Sequence, residues 1–333
     1  MTKKPILGKR YKYTPRSILK LNELQVQAKG SVEEKMLSGI YALENVACFC
    51  GSNSDVLLAE RDRHGLKVST VICTKCGLIR TNPRMTQRAY TSFYECEYRP
   101  LYTGISKPSE SFFREQCVRG ARIYSLVKHY IDSGTVFDIG CGAGGLLFAF
   151  QQANWQGAGV DYNEEYLGYG LSQGVENLFK GTSKELIHFG KKANLIILSH
   201  VLEHFLDLRS EIGTINQLLE PDGIIYIEMP GIKSLDWRYA YASDLLRLLQ
   251  NAHTYYFNLN TLENVMNSCG YELIYGNEVI ESLFKIAQRE IRPIGDMSSE
   301  YKLTVDHLKR IERRRRWGIT KTRLLYIRRI QQS

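Results

Sequence analysis

A glycine-rich loop between a strand-like and a helix-like segment constrains the fold of this chain most strongly. Residues 135–139 form an apolar run with the character of a buried strand, residues 140–145 read GCGAGG, and a helical apolar run follows from Leu146. Glycine lets the backbone approach a ligand closely, and the N-terminus of a helix offers unpaired N–H groups. The order of strand, glycine turn and helix predicts an α/β fold with a ligand site at the turn.

An acidic residue follows this loop at an informative distance. Residues 157–160 form a second short strand candidate that ends at Asp161. An acid at the carboxyl end of the neighbouring strand, about 20 residues after the first glycine, is suited to binding the two hydroxyls of a ribose. These features predict a nucleoside-containing cofactor, and taken alone they would also fit NAD.

Three more motifs narrow the family. Asp138 precedes the first glycine, so the loop reads DxGxGxG; residues 196–204 read IILSHVLEH and residues 219–228 read LEPDGIIYIE. In this order the motifs resemble the class I S-adenosylmethionine-dependent methyltransferases, over roughly residues 108–290. The resemblance implies an α/β fold with a Rossmann-like sheet that is mostly parallel and has one antiparallel strand. Residues 271–275 and 282–287 are the predicted terminal strand pair.

The resemblance also implies which residues hold the cofactor. The glycines of the loop would line its methionine part, Asp138 would position the amino-acid end, and Asp161 would bind the ribose. The acid that binds adenine in many relatives is replaced here by the sequence KGTS at residues 180–183, so Thr182 or a backbone group is expected to take over. The full predicted set is Asp138, Gly140, Gly142, Gly144, Asp161, Tyr162, Thr182, Ser199, His200, Arg99 and Tyr102.

Methyl transfer to an alcohol requires a positioned acceptor, exclusion of water and removal of one proton. Residues 230–258 are the predicted lid, and His253 within them is the first candidate for the general base. A structural or substrate-orienting role for His253 is the alternative. His200 is the second candidate, and Glu228 at the end of the fifth strand is the third.

Four of the eight cysteines form a cluster by spacing. Cys48 and Cys50 stand in a CxCG sequence, and Cys73 and Cys76 stand in a CxxCG sequence. Two such turns can supply four thiolates to a tetrahedral Zn²⁺, and a site filled by four protein ligands is structural because no coordination position stays open. The alternative is four unrelated buried cysteines.

The formal net charge of +9 arises from the two ends of the chain. Residues 1–20 hold seven Lys or Arg and no acid, and residues 302–333 hold eleven against Asp306 and Glu312, so the middle carries about −7. A nucleic-acid partner is therefore disfavoured. The C-terminal segment fits a basic amphipathic helix on an anionic membrane or, alternatively, a helix packed on its own domain. Without a secretion signal or an apolar span, the predicted location is cytoplasmic, with peripheral contact at the inner membrane face.

The combined pattern resembles zinc-ribbon methyltransferases of bacterial surface-polysaccharide and deoxysugar pathways. It predicts O-methylation of a sugar hydroxyl in a glycan or in a nucleotide- or lipid-linked precursor. The alternatives are C-methylation of a nucleotide-linked keto sugar, an RNA methyltransferase with a zinc ribbon, and an inactive scaffold. The predicted organisation is an N-terminal arm and helix (1–45), a zinc-ribbon module with linker (46–104), a methyltransferase domain (105–290) and a basic helical extension (291–333).

Overall fold

The computed structural model describes residues 4–105, 107–237, 241–288, 294–295 and 297–330. The predicted domain boundary at residues 290 and 291 lies outside these residues, and so do the side chains of residues 318–330. The helices are α1 (Glu23–Leu37), α2 (Gln87–Cys96), α3 (Tyr98–Thr103), α4 (Glu110–Val127), α5 (Gly145–Gln152), α6 (Glu164–Ser172), α7 (Leu208–Leu218), α8 (Leu245–Leu248), α9 (Leu259–Asn267) and α10 (Ser298–Ile330).

The strands fall into three sheets within the described residues. They are β1 (Leu43–Glu44), β2 (Asp55–Ala59), β3 (Thr70–Cys73), β4 (Ile79–Thr81), β5 (Arg84–Met85), β6 (Thr135–Ile139), β7 (Gln156–Asp161), β8 (Leu178–Lys180), β9 (Ala193–Ser199), β10 (Leu219–Glu228), β11 (Tyr255–Tyr256), β12 (Tyr271–Gly276) and β13 (Glu281–Ile286).

The central sheet has the order β12-β13-β10-β9-β6-β7-β8. Its strands run parallel except β13, which pairs antiparallel with both β10 and β12. The prediction of a mostly parallel α/β sheet is confirmed, and β12 and β13 occupy the segments predicted for the terminal pair. The ligand-binding edge of such a sheet lies at the carboxyl ends of its parallel strands.

Both faces of this sheet are buried, as expected for parallel strands covered by helices. Along β9, Leu195 and Ile197 pack toward α4, α5 and α6, whereas Ile196 and Leu198 pack toward α7 and α9. This alternation follows from the two-residue period of a strand. Because both faces of β9 are covered, its side chains can reach a ligand only at the end of the strand.

The N-terminal part of the chain shares its core with the central sheet. Strands β2, β3 and β4 form an antiparallel sheet whose fourth strand is β11, contributed by the predicted lid segment. Three of the clustered cysteines, Cys48, Cys73 and Cys76, pack in the same apolar cluster as Ile227 of β10 and Phe257. The cysteine-rich segment is thus fixed against the central sheet.

The N-terminal arm and α10 contact each other. Arg10 in the N-terminal arm makes a two-pronged ion pair with Asp244, and the hydroxyl of Tyr11 donates a hydrogen bond to Glu312 of α10. Val305 and Leu308 of α10 are buried among apolar side chains from the arm and α8. Among the described residues, no helix is long and apolar enough to cross a membrane.

Candidate functional site

A cavity of about 400 Å³ opens at the carboxyl ends of β6, β7 and β9. This volume lies in the range of small-molecule sites. Its lining includes the glycine loop, Asp161 and a wall of aromatic side chains from α2 and α3. Of the predicted cofactor residues, the cavity brings together Arg99, Gly140, Gly142, Asp161, Tyr162, Thr182, Ser199 and His200.

The glycine loop presents bare backbone to this cavity. Gly140 and Gly142 both have left-handed backbone angles, with φ of +74° and +57°. A side chain at Gly140 would place its Cβ 2.5 Å from Val201, and one at Gly142 would approach the amide of Gln116 to 3.1 Å. Gly144 caps α5 just behind the loop and is not among the lining residues. The loop is therefore shaped as a cradle for a ligand that lies directly on the backbone.

Asp161 is held rigidly at the end of β7. Its Oδ2 accepts a hydrogen bond from the backbone N–H of Gly142 at 2.9 Å, and its Oδ1 accepts one from Asn163 at 2.9 Å. The guanidinium of Arg99 lies 3.9 Å from Oδ1 and 3.9 Å above the ring of Tyr166. A fixed carboxylate at this edge suits a ribose diol, and Arg99 adds a cation beside it.

Asp138 lies beneath the loop with its side chain unsatisfied. It is 1% exposed, and neither carboxylate oxygen has a hydrogen-bond partner within the described part of the chain. Burial, followed by the nearby charge of Asp161, raises the pKa of Asp138 well above its ordinary value. The carboxyl group lies behind the glycine cradle and is not among the residues that line the cavity, so the structure does not bring Asp138 to the cofactor side as predicted.

Ser199 and His200 end β9 beneath the same cavity. The Ser199 hydroxyl donates to Glu228 at 3.4 Å, and the backbone N–H of His200 donates to the Glu228 carbonyl at 2.7 Å. His200 has a φ of +58°, an uncommon angle for a residue with a side chain, and its imidazole lines the cavity. Backbone angles of this kind are found most often at active sites and ligand-binding positions.

Glu228 is not among the residues that line the cavity. Its carboxylate accepts hydrogen bonds from Arg122 at 2.8 Å and from the Tyr226 hydroxyl at 3.2 Å. Burial opposes ionisation, yet His200 and Arg122 hold the pKa of Glu228 below its ordinary value. An ionised and fully engaged carboxylate of this kind orients its neighbours, and the structure does not bring it to the acceptor side as predicted.

His253 was predicted to face the acceptor, but it lies elsewhere in the structure. It is 4% exposed and is not among the residues that line the cavity. The pairing of β11 with β4 draws the end of the lid segment into the N-terminal sheet, which buries His253 against Glu203 and His204. Burial lowers the pKa of His253 well below its ordinary value, so its imidazole is neutral.

Tyr102 also lies outside the cavity lining. Its hydroxyl accepts a hydrogen bond from the backbone N–H of Ala252 at 3.1 Å, and its ring packs on His64. The predicted contact of Tyr102 with the cofactor is therefore replaced by a link between α3 and the lid segment. Arg99, three residues earlier on the same helix, does reach the cavity.

Residues near the end of β8 form the far end of the cavity. Thr182 lines it and also caps a short 3₁₀ helix through its hydroxyl, which accepts from the Lys184 backbone at 3.3 Å. The adjacent Ser183 lines the cavity with a buried hydroxyl that lacks a partner among the described residues. Sequence reasoning named Thr182 and missed Ser183, although KGTS offered both hydroxyls.

The aromatic wall is the main feature that sequence reasoning underestimated. Tyr90, Tyr94 and Tyr98 line the cavity. Neighbouring rings in this series lie 6.1 and 4.9 Å apart. The recurrence of tyrosine every fourth residue was the available signal, because that interval aligns side chains along one helical face.

The four predicted zinc ligands converge. The sulfurs of Cys48 and Cys76 lie 3.5 Å apart, those of Cys50 and Cys73 lie 3.7 Å apart, and all four lie within 4.8 Å of one another. A tetrahedron with Zn–S bonds of about 2.3 Å places its sulfurs about 3.8 Å apart. The donor set and its spacing therefore fit a tetrahedral zinc ion.

Comparison with known proteins agrees with this cofactor geometry. Residues 115–275 match a family described as "Methyltransferase domain". The C-methyltransferase NovU of Streptomyces niveus is 24% identical over 182 residues, which are 51% of this chain and 42% of NovU. The chain thus matches less than half the length of that relative.

The comparison with solved structures includes one archaeal and one bacterial methyltransferase. A SAM-dependent methyltransferase from Archaeoglobus fulgidus has 20% identity and a TM-score of 0.40, covering 61% of this chain and 94% of its own. One from Bacteroides fragilis in complex with S-adenosyl-L-homocysteine has 16% identity and a TM-score of 0.40, covering 54% and 82%. From the family match, the sheet topology and the glycine cradle beside Asp161, we conclude that this chain contains a class I S-adenosylmethionine-dependent methyltransferase domain.

Proposed function

We propose that the protein transfers a methyl group from S-adenosylmethionine to a sugar hydroxyl of a bacterial surface glycan or its precursor. The observation that carries this proposal is a single cavity that joins the cofactor cradle to a wall of tyrosines, with His200 between them. Aromatic faces bury the apolar surface of a ligand. The hydroxyls of Tyr90 and Tyr94 are engaged within the protein, by the Asn251 carbonyl and by His204, so the wall offers ring faces, which suit the apolar face of a sugar ring.

Different residues of the site would contact different parts of the cofactor. The backbone at Gly140 and Gly142 would contact the methionine part, Asp161 would accept hydrogen bonds from the ribose, and Thr182 would lie at the adenine end. S-adenosylmethionine supplies a methyl group on a sulfonium, which is a good leaving group, so the protein has to position the acceptor, exclude water and remove a proton.

His200 is the candidate that best fits the removal of this proton. Its imidazole lines the cavity, and its Nδ1 lies 3.6 Å from the carboxylate of the buried Glu203. The negative charge of a nearby carboxylate stabilises the ring after it takes a proton. The proton of the acceptor hydroxyl passes to His200 as the oxygen gains the methyl group.

Replacing His200 with asparagine is expected to lower the rate of methyl transfer by about 100-fold or more while S-adenosylmethionine binding stays within a few-fold of wild type. Asparagine tolerates the left-handed backbone angle at this position, so the loop is kept. The measurement is incorporation of labelled methyl into glycan extracted from source cells that lack the gene. His188→Asn, an exposed histidine on a neighbouring helix, is the matched control. Wild-type turnover in His200→Asn would assign the base elsewhere.

C-methylation of a nucleotide-linked keto sugar is the second candidate, and the relative that favours it is NovU, a C-methyltransferase by name. The carbon-13 chemical shift of a transferred ¹³C-methyl group separates the two, since an oxygen-bound methyl resonates far downfield of a carbon-bound one. The deciding experiment for the substrate class is mass spectrometry of surface glycans with and without the gene. We expect loss of one CH₂ increment; an unchanged glycan with altered RNA would instead favour an RNA methyltransferase.

We further propose that the four clustered cysteines hold a structural zinc ion. With four protein ligands, the site has no open position for catalysis and contributes folding free energy instead. The burial of three of these cysteines in the apolar cluster beneath β10 supports this role. The zinc would fix the N-terminal sheet and, with it, the helices that carry the tyrosine wall.

The basic face of α10 supports a peripheral contact with an anionic membrane, as proposed from the sequence. Lys309 and Arg313 are exposed and lie one turn apart, and Trp317, a further turn along, is 76% exposed. An exposed tryptophan beside lysine and arginine is typical of helices that bind at a lipid interface. Arg315 differs, because it pairs with Glu312 on the side that faces the N-terminal arm.

Lys309→Gln combined with Arg313→Gln is expected to weaken binding to anionic vesicles by about 10- to 30-fold, because each basic residue near the surface contributes about 1 kcal/mol. Co-sedimentation of the full-length protein with vesicles that contain phosphatidylserine measures this effect. Lys191→Gln with Lys192→Gln, two exposed lysines on another surface, serves as the control. Equal sedimentation of wild type with neutral and anionic vesicles would contradict the membrane contact.

A further inference from the structure

A second cluster of possible metal ligands lies beside the cavity, apart from the cysteines. Glu203, His204 and His253 each offer one ligand atom, and these atoms lie within 4.8 Å of one another. Glu203 and His204 belong to the short 3₁₀ helix Leu202–His204 after β9, whereas His253 comes from the lid segment. The cluster thus joins two distant parts of the chain at the wall of the cavity.

Glu203 is the member whose surroundings are hardest to explain without a ligand. It is 1% exposed, and neither carboxylate oxygen accepts a hydrogen bond within the described part of the chain. His200 and His253 approach one of its oxygens to 3.6 and 3.8 Å, which is too long for a hydrogen bond. A buried carboxylate without a hydrogen-bonded partner carries a large desolvation cost, which a bound cation would offset.

The two histidines differ in which ring nitrogen is already engaged. The Nδ1 of His204 lies 2.9 Å from the carbonyl oxygen of Ala252 and 3.0 Å from the hydroxyl of Tyr94. Both contacts are on Nδ1, which leaves Nε2 as the ring nitrogen that can bind a ligand. Metal-binding histidines commonly use one ring nitrogen for the metal and the other for a hydrogen bond to a protein group.

The tautomer of His253 follows from its contact with Gln250. The side-chain amide nitrogen of Gln250 approaches Nε2 of His253, and an amide nitrogen only donates, so Nε2 carries a lone pair as well. That same nitrogen is the atom that faces the Glu203 carboxylate. That lone pair accepts the N–H of Gln250, so a metal ion bound to Nε2 would take the place of this hydrogen bond.

We propose that Glu203, His204 and His253 bind a divalent transition-metal ion at the wall of the cavity. Two imidazoles and one carboxylate suit ions such as Mn²⁺, Co²⁺ and Zn²⁺, and three protein ligands leave further coordination positions open. His204 belongs to both the cluster and the cavity lining, so the ion lies next to the bound acceptor. Its role there rests on the proposed function: a divalent ion that coordinates the acceptor hydroxyl lowers the pKa of that hydroxyl, which makes proton removal by His200 easier.

The probe is Mn²⁺, which prefers oxygen and nitrogen ligands and is a poor match for four cysteines. Full-length protein is equilibrated with Mn²⁺ by dialysis, all transition metals per chain are counted by inductively coupled plasma mass spectrometry, and bound Mn²⁺ is followed by electron paramagnetic resonance. We expect wild type to bind about one ion more per chain than Glu203→Gln, a replacement of nearly identical shape. His307→Asn changes a buried histidine on α10 outside the cluster and is expected to retain the wild-type content.

His253→Asn provides a second comparison in case Glu203→Gln is too unstable, and circular dichroism reports the folding of each variant. Equal metal contents in wild type, Glu203→Gln and His253→Asn would overturn the proposal. This result would not contradict the proposed methyl transfer, because S-adenosylmethionine binding is measured separately by calorimetry. Conversely, a protein that binds Mn²⁺ through Glu203 but does not bind S-adenosylmethionine would overturn the proposed function alone.

Discussion

Asp161→Asn is expected to weaken the binding of S-adenosylmethionine by about 10- to 100-fold, because a hydrogen bond to a charged group contributes about 1.5 to 3 kcal/mol. Both oxygens of the carboxylate already accept backbone N–H groups, so it enters the complex without reorganisation. An asparagine would have to turn its NH₂ group toward one of these N–H donors. The variant therefore lacks the negative charge that would face the ribose, and its glycine loop is held less firmly at Gly142.

Isothermal titration calorimetry with purified protein measures this change. Glu165→Gln, which removes an exposed carboxylate four residues later on α6, is the matched control and should bind the cofactor as wild type does. A thermal unfolding curve for each variant separates a lost contact from a lost fold. Binding of Asp161→Asn within three-fold of wild type would remove Asp161 from the proposed ribose site.

The second large effect is expected at the cysteine cluster. Cys73→Ser should release the zinc and lower the midpoint of thermal unfolding by roughly 10 °C, since even a fraction of the binding energy of a structural zinc amounts to several kcal/mol. Cys73 is fully buried in the apolar cluster that includes Ile227 of β10. The loss should therefore also reduce the affinity of the neighbouring cavity for S-adenosylmethionine.

Differential scanning calorimetry together with zinc analysis tests this prediction. Cys96→Ser changes an exposed cysteine outside the cluster and should leave both the midpoint and the zinc content as in wild type. A strong chelator should lower the wild-type midpoint toward that of Cys73→Ser and have little further effect on the variant. A Cys73→Ser protein that unfolds at the wild-type temperature would show that the cluster is not a structural zinc site.

The sheet and the cofactor cradle could be predicted because their signals are local. A glycine that must adopt a positive φ, such as Gly142, and an acid at a strand end, such as Asp161, are visible within a few residues of sequence. The structure then brings them into direct contact through the Gly142 N–H. The pairing of β12 with β13 could be predicted as well, because the two strands are close in sequence.

The acceptor side could not be predicted to the same extent because its geometry depends on long-range contacts. The position of His253 is decided by the pairing of β11 with β4, which joins residues some 175 positions apart. No local pattern at His253 reports this pairing. The surroundings of the Glu203 carboxylate could not be predicted for the same reason, since its neighbour His253 comes from the lid segment.

The shared sheet has a consequence for how the protein responds to its redox environment. Tyr256 pairs with Ile79, which follows Cys76 by three residues, and Tyr255 pairs with Arg80. Oxidation of the cysteine thiolates to disulfides would draw the sulfurs closer than a zinc ion permits and would pull on β4. Because β11 is hydrogen-bonded to β4, that strain would reach the segment from Gln250 to His253, so thiol oxidants would disturb the acceptor side in addition to the cofactor affinity that depends on the zinc.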